Sequence, residues 1–104
     1  MTASSSFSYV ENQIEIWGYD RKIIQNGKVL GQAIKTAEET VELLSAINSQ
    51  QDDEITDAIG DIGVTLIMIC AQRGIPFTEC LNAAYESIKD RKGTLTSAGV
   101  FVKG

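Results

Sequence analysis

A small all-α fold, four helices packed as a bundle-type protomer with a short extended C-terminal tail, is what the 104-residue sequence predicts. Three observations predict it. Apolar residues recur at three- and four-residue spacing through four segments. Turn and cap residues fall between those segments and not inside them. The clearest strand-like stretch, Val100-Phe101-Val102, lies after the last of them.

The first helix runs from about Ser6 to Ile24, with Phe7, Val10, Ile14, Trp17 and Ile24 at helical spacing, and the turn signal Gln25-Asn26-Gly27-Lys28 follows. The second runs from about Gln32 to Asn48, where Ile34, Ala37, Val41, Leu44 and Ile47 form one apolar stripe. The third starts near Ser49, a suitable N-cap, with Asp52 and Asp53 in its first turn facing the positive end of the helix dipole. It ends at Arg73, with Gly74 as the expected left-handed C-cap. Ile75-Pro76 opens the fourth helix, whose apolar positions are Phe77, Leu81, Ala84 and Ile88, and Lys89 to Gly93 closes it. Thr94 to Gly104 reads as extended or hairpin-like.

With 43% apolar and 22% charged residues and one proline, residues 1–104 form a single ordered domain. A net charge of -5 and a pI near 4.6 exclude a general nucleic-acid binder, which needs a basic footprint. Cys70 and Cys80 have neither CxxC spacing nor a histidine beside them, and read as buried, reduced thiols of a cytoplasmic protein. Met1-Thr2-Ala3-Ser4-Ser5-Ser6 lacks the features of a signal peptide, and the apolar run Ile62 to Ala71 is too short to span a bilayer, so a soluble chain without membrane partners is expected. From Ile55 to Ala71 the third helix is apolar on nearly every side. A chain this small cannot surround such a helix alone, which implies a homodimer or a dimer of dimers, with Gly60 and Gly63 permitting close helix approach.

The carboxylates carry the chemistry. Glu38, Glu39 and Glu42 cluster on the second helix, and Glu54, Asp57 and Asp61 repeat the three- and four-residue relation on the third. Like charges so spaced destabilise a helix, and an aspartate flanked by Ile59, Ile62 and Val64 should be buried at a cost. Such acids form either a solvated face or a divalent-cation site, and magnesium prefers carboxylate and water oxygens. The absence of histidine excludes Glu-x-x-His di-iron bundles, histidine-ligated zinc and histidine-dependent triads. Hard-cation, all-oxygen chemistry remains, and it points to a phosphoryl substrate. Arg21, Lys35, Lys89, Arg91 and Lys92 are surface charges or together a cradle for a triphosphate tail; Trp17 belongs to the core or stacks on a base.

Glu38-Glu39-Thr40-Val41-Glu42, followed by Asp53-Glu54-Ile55-Thr56-Asp57-Ala58-Ile59-Gly60-Asp61, resembles the signature E-E-x-x-E then E-x-x-D of the MazG-like nucleoside triphosphate pyrophosphohydrolases. Their all-α superfamily also holds dimeric dUTPases and phosphoribosyl-ATP pyrophosphohydrolases. The resemblance extends from Trp17-Gly18-Tyr19-Asp20-Arg21 to Ile88 through Gly93. It implies hydrolysis of (deoxy)nucleoside triphosphates between the α and β phosphates, with magnesium, or manganese in its place, held by Glu39, Glu42, Asp61 and one of Asp57 or Glu54. Glu38 would handle the attacking water, and Lys35, Lys89, Arg91 and Lys92 would neutralise the polyphosphate. Ala58 departs from the pattern, since the signature's glutamate falls there, and the missing carboxylate must come from Asp57 or Glu54. Phosphoribosyl-ATP hydrolysis and a non-catalytic helical module are the alternative readings.

Overall fold

The computed structural model describes residues 6–104, so the Met1-to-Ser5 stretch read for targeting features lies outside the described residues. Five helices and a hairpin follow one another: α1 (Phe7–Asp20), α2 (Ile23–Asn26), α3 (Val29–Asn48), α4 (Asp52–Arg73), α5 (Phe77–Ile88), β1 (Gly93–Leu95) and β2 (Phe101–Lys103). No described helix is long and apolar enough to cross a membrane.

Ser6 caps α1, its hydroxyl accepting from the Tyr9 amide at 3.1 Å. The expected first helix, Ser6 to Ile24, is in fact two. The chain breaks at Arg21-Lys22, where Lys22 is left-handed with φ 64°. A left-handed lysine costs about 1–2 kcal/mol. The reversal offsets that cost by carrying Ile24 into the small core it forms with Ile67 and Met68. The Gln25 side-chain amide donates to the Tyr19 carbonyl at 3.0 Å and ties the break.

α3 and α4 form an antiparallel hairpin of helices joined by Ser49-Gln50-Gln51. Ser49, expected to cap the third helix, closes α3 instead: its hydroxyl donates to the Ser45 carbonyl at 2.7 Å, and the N-cap of α4 is Gln51. The expected start at Gln32 lies three residues inside α3. Gly74 takes the left-handed C-cap of α4 with φ 72°, and the Ile75 amide donates back to the Cys70 carbonyl at 2.9 Å, a Schellman closure. α5 then begins at Phe77, whose amide donates to the Glu11 carboxylate of α1 at 3.1 Å. The expected tail hairpin is present, β1 antiparallel to β2 with Thr94 opposite Val102.

α4 is the hub, touched by α1, α2, α3 and α5. The seam between α3 and α4 does not use the stripe that periodicity selects. Ile34, Val41, Leu44 and Ile47 are all more than half exposed, from 52% to 65%. The residues of α3 drawn out of solvent are Gln32, Thr36, Glu39, Leu43 and Ala46, a second helical stripe that is mostly polar. Gly60 and Gly63 have open space around them within the chain. A further expectation is corrected. Cys80 is exposed and Cys70 only partly covered, because α5 contributes no buried residue and lies open at the edge of the fold.

Gly18, by contrast, is where α1 crosses α4. A Cβ there would sit 2.5 Å from the Met68 sulfur and 3.0 Å from Ile24 Cδ1, and Met68 is only 1% exposed, so its tip has little room to yield. Overpacking costs about 1–3 kcal/mol, against about 1 kcal/mol of helix propensity gained by alanine. Gly18→Ala is therefore expected to lower stability by about 1 kcal/mol net, read as a lower urea midpoint with an unchanged m-value.

Candidate active site

The polar stripe of α3 meets α4 around Asp61. One hydroxyl bridge spans the seam, Thr36 Oγ1 to Thr65 Oγ1 at 2.8 Å. Each hydroxyl also lies against its own helix, Thr36 near the Gln32 carbonyl at 2.9 Å and Thr65 near the Ile62 carbonyl at 2.8 Å. Each hydroxyl has one proton, so one donates across the seam and its partner donates to its own carbonyl. This pair fixes the rotation of α3 on α4, and with it the direction of Glu39, one turn further along.

Glu39 is partly buried, and its Oε2 is out of solvent with no hydrogen-bond partner. Its pKa lies above the ordinary 4.5. Glu42 contributes most, through a hydrogen bond possible only while one carboxyl of the pair is protonated; burial and the charges of Glu42 and Asp61 add to it, and Lys35 partly opposes them. Three acids from two helices thus share one field. A buried carboxylate oxygen without a partner is a position awaiting a proton or a cation.

Asp61 stands between open chambers. On one side, a cavity of about 320 Å³ is lined by Glu42 and Ser45 of α3 and by Glu54, Asp57, Ala58 and Asp61 of α4. On the other, a cavity of about 280 Å³ is lined by Trp17, Gln32, Lys35, Glu39, Asp61 and Thr65 among others. A third, of about 440 Å³ and mostly apolar, runs from Asp61 and Val64 along Val10, Ile14 and Trp17. Asp61 itself is exposed, not buried as its apolar neighbours suggest, because one chain leaves the face of α4 between α1 and α3 open. Ala58 is 4% exposed and faces the acidic chamber, while Asp57 and Glu54 both line it, so the carboxylate absent at Ala58 has two neighbours in the same cavity.

The remaining candidates divide. Trp17, 41% exposed, and Lys35 sit beside Asp61 and Glu39. The Arg21 guanidinium lies over the Trp17 ring, 4.6 Å from its centroid, and so reaches the rim of the same chamber. Glu38 points away from the seam, exposed and 3.8 Å from the Lys35 ammonium. Lys89 is paired with Glu86 at 2.8 Å, and Arg91 and Lys92 are exposed beyond α5; none of the three lines the chambers around Asp61. Thr36 and Thr65, which hold the seam, escape a reading that follows apolar residues; the spacing of Gln32, Thr36 and Glu39 is the signal that reveals them.

Among the described residues, no three carboxylates or thiols close on one point as a ready-made cage. An open set still fits magnesium, which keeps several waters and takes one or two carboxylates together with substrate phosphate oxygens.

Comparison with known proteins gives the arrangement a lineage. An uncharacterised 18.2 kDa protein from the rep–hol intergenic region of Haemophilus phage HP1 is 36% identical over 62 residues, which are 60% of this chain and 38% of the phage protein. The chain thus aligns with well under half of that relative. No solved structure matches. The profile of the phosphoribosyl-ATP pyrophosphohydrolases matches residues 9–88, from α1 to the end of α5, and takes in every carboxylate of the seam. The chain belongs to that family, within the MazG-like all-α NTP pyrophosphatase superfamily.

Proposed function

We propose that the chain is a magnesium-dependent pyrophosphohydrolase that splits (deoxy)nucleoside triphosphates into nucleoside monophosphate and pyrophosphate, serving nucleotide-pool control or house-cleaning. The observation that carries this reading is the partnerless, buried Oε2 of Glu39 in the field of Glu42 and Asp61. Glu39, Glu42 and Asp61 hold the cation, with Asp57 or Glu54 completing the set from the acidic chamber. Magnesium, or manganese in its place, supplies charge neutralisation at phosphate oxygens and a more acidic water. Lys35 faces the polyphosphate from beside Glu39, and Trp17 with Val10, Ile14 and Val64 offers an apolar wall for the base. Glu38, one residue from Glu39, orients the attacking water by way of the solvent side. A phosphoribosyl-ATP substrate is the second reading, favoured by the family match over residues 9–88.

The working form is a homodimer or homotetramer. The chain exposes 7707 Å², against about 5,700 Å² for a folded monomer of its mass. The excess of about 2,000 Å² per chain is more than twice what each partner gives to a standard interface, and falls in the range of obligate assemblies. The α3 stripe of Ile34, Val41, Leu44 and Ile47 and the hairpin residues Leu95, Val100, Phe101 and Val102 supply it, all half exposed or more.

Pyrophosphate release, followed across nucleoside triphosphates and phosphoribosyl-ATP, is expected only with magnesium or manganese. Glu39→Gln and Asp61→Asn should each reduce turnover on the order of 100-fold or more. Turnover that survives both changes overturns the assignment, and no turnover of any substrate by the wild type favours a non-catalytic module. The raised pKa of Glu39 sets a pH signature. Its protonated form stabilises the fold at low pH, and that contribution is lost as pH rises through the raised value, so the metal-free seam is strained by like charge near about pH 8. Magnesium is expected to raise the melting temperature near about pH 8 and to do so progressively less towards about pH 5, where the proton competes for Glu39. Metal-free Glu39→Gln should melt above wild type near about pH 8 and gain little from magnesium. Light scattering should give two or four times the 11.3 kDa chain mass; a stable monomer rules the assembly out.

A further inference from the structure

The corner between α4 and α5 carries a pair of groups that the acidic seam does not use. Cys70, in the last turn of α4, and Cys80, in the first turn of α5, are hydrogen-bonded sulfur to sulfur at 3.8 Å. The corner holds this approach by contacts of its own: left-handed Gly74, the Ile75 amide on the Cys70 carbonyl at 2.9 Å, and the Phe77 amide on Glu11 at 3.1 Å. Both thiols are free, Cys80 open to solvent and Cys70 partly covered. A disulfide places its sulfurs about 2 Å apart, so closure asks each to move by about 1 Å, within reach of side-chain rotation.

We propose that Cys70 and Cys80 are a redox-active dithiol that closes to an intrachain disulfide, stapling α5 to α4, when a low-molecular-weight disulfide such as glutathione disulfide reaches the exposed sulfur. The Cys80 thiolate attacks one sulfur of glutathione disulfide, forming a mixed disulfide and expelling one glutathione thiolate. Cys70 gives its proton to solvent and attacks the Cys80 sulfur, and the second glutathione leaves as thiolate and is protonated by water. Two protein thiols are thereby oxidised by two electrons, and one glutathione disulfide is reduced to two glutathiones.

The environments set the order of the steps. Cys80 is the accessible nucleophile. The Cys70 thiol is pushed up to about 11 by burial, by the hydrogen bond to Cys80, and by the charges of Cys80 on α5 and of Glu11 and Glu15 on α1. Burial and the two glutamates remain once Cys80 is capped, so the second step speeds up as pH rises.

Intact-mass analysis of the native chain in glutathione disulfide should show a transient single glutathione adduct that collapses to a species two hydrogens lighter than the reduced chain, faster at higher pH. Trypsin cuts after Arg73, between the two cysteines, so the oxidised chain should yield the peptide ending at Arg73 linked to the one beginning at Gly74, released by reductant. In Cys70→Ser the adduct on Cys80 should persist. The equilibrium with glutathione should favour the bridge at least about tenfold more in the folded chain than in guanidinium, where only chain proximity acts. A wild-type chain that stalls as the adduct, bridges between copies instead, or shows the same equilibrium folded and denatured overturns the proposal.

Discussion

The polar seam between two antiparallel helices, bridged by Thr36 and Thr65 with Glu39 one turn further along, is the constraint on which the rest of the structure depends. Helix pairs ordinarily turn their apolar stripes inward. Here α3 turns Gln32, Thr36 and Glu39 towards α4 and leaves Ile34, Val41, Leu44 and Ile47 outside. The hydrophobic gain forgone inside the protomer is recovered only if something covers that outer face. What holds the seam meanwhile is specific and local: the three-residue turn Ser49-Gln50-Gln51 and the Thr36–Thr65 bridge. A polar network in a helix seam is high-stakes, because a partner removed leaves the other group buried and unsatisfied.

The hydrophobic core lies elsewhere, at the far half of α4, and its role is to place Trp17. Ile24, Ile67 and Met68 form it, with Ile14, Val64 and Phe77 packed around. Gly18 lets α1 come close enough for Met68 to fill the crossing, and Trp17, its neighbour in the chain, is thereby set at the rim of the chambers shared with Asp61. The left-handed turn at Lys22 serves the same end from the other side, folding Ile23 and Ile24 back beneath the chamber. The core therefore abuts the chamber, and Val64 and Met68 serve both.

Much of this was legible in the residues alone. Helix existence, the Gly74 cap, the tail hairpin and the carboxylates of the seam follow from spacing and cap chemistry, which are local. The misread features are those that tertiary contact decides. Nothing around Lys22 signals a break; its left-handed conformation is stabilised by Ile24 reaching a core that only the folded chain assembles. Ser49 offers equally good chemistry for ending one helix and starting the next, and the short turn chooses the former. The outward direction of the α3 stripe lay beyond the sequence, because amphipathic periodicity says which residues share a face, not which face meets a neighbour from the same chain. Asp61 was expected to be buried because its sequence neighbours are apolar, yet neighbours one residue away point in other directions around a helix. The approach of Cys70 to Cys80 depends on the α4–α5 corner and carries no pattern in sequence.

The two stripes of α3 have a consequence for how this domain can change over time. Glu39 points into the seam and Val41 points out of it, and both directions are set by counting residues along one uninterrupted helix. A single inserted or deleted residue between Thr36 and Glu39 would rotate the upstream part of the stripe by about 100° relative to the rest. The threonine bridge and the carboxylate would then no longer face α4 together, and the outer apolar surface would be split in the same stroke. Substitutions can tune the chamber and the outer face separately, but length changes cannot touch one without the other. The phase of a single helix thus locks the chemistry of the seam to the shape of the surface behind it.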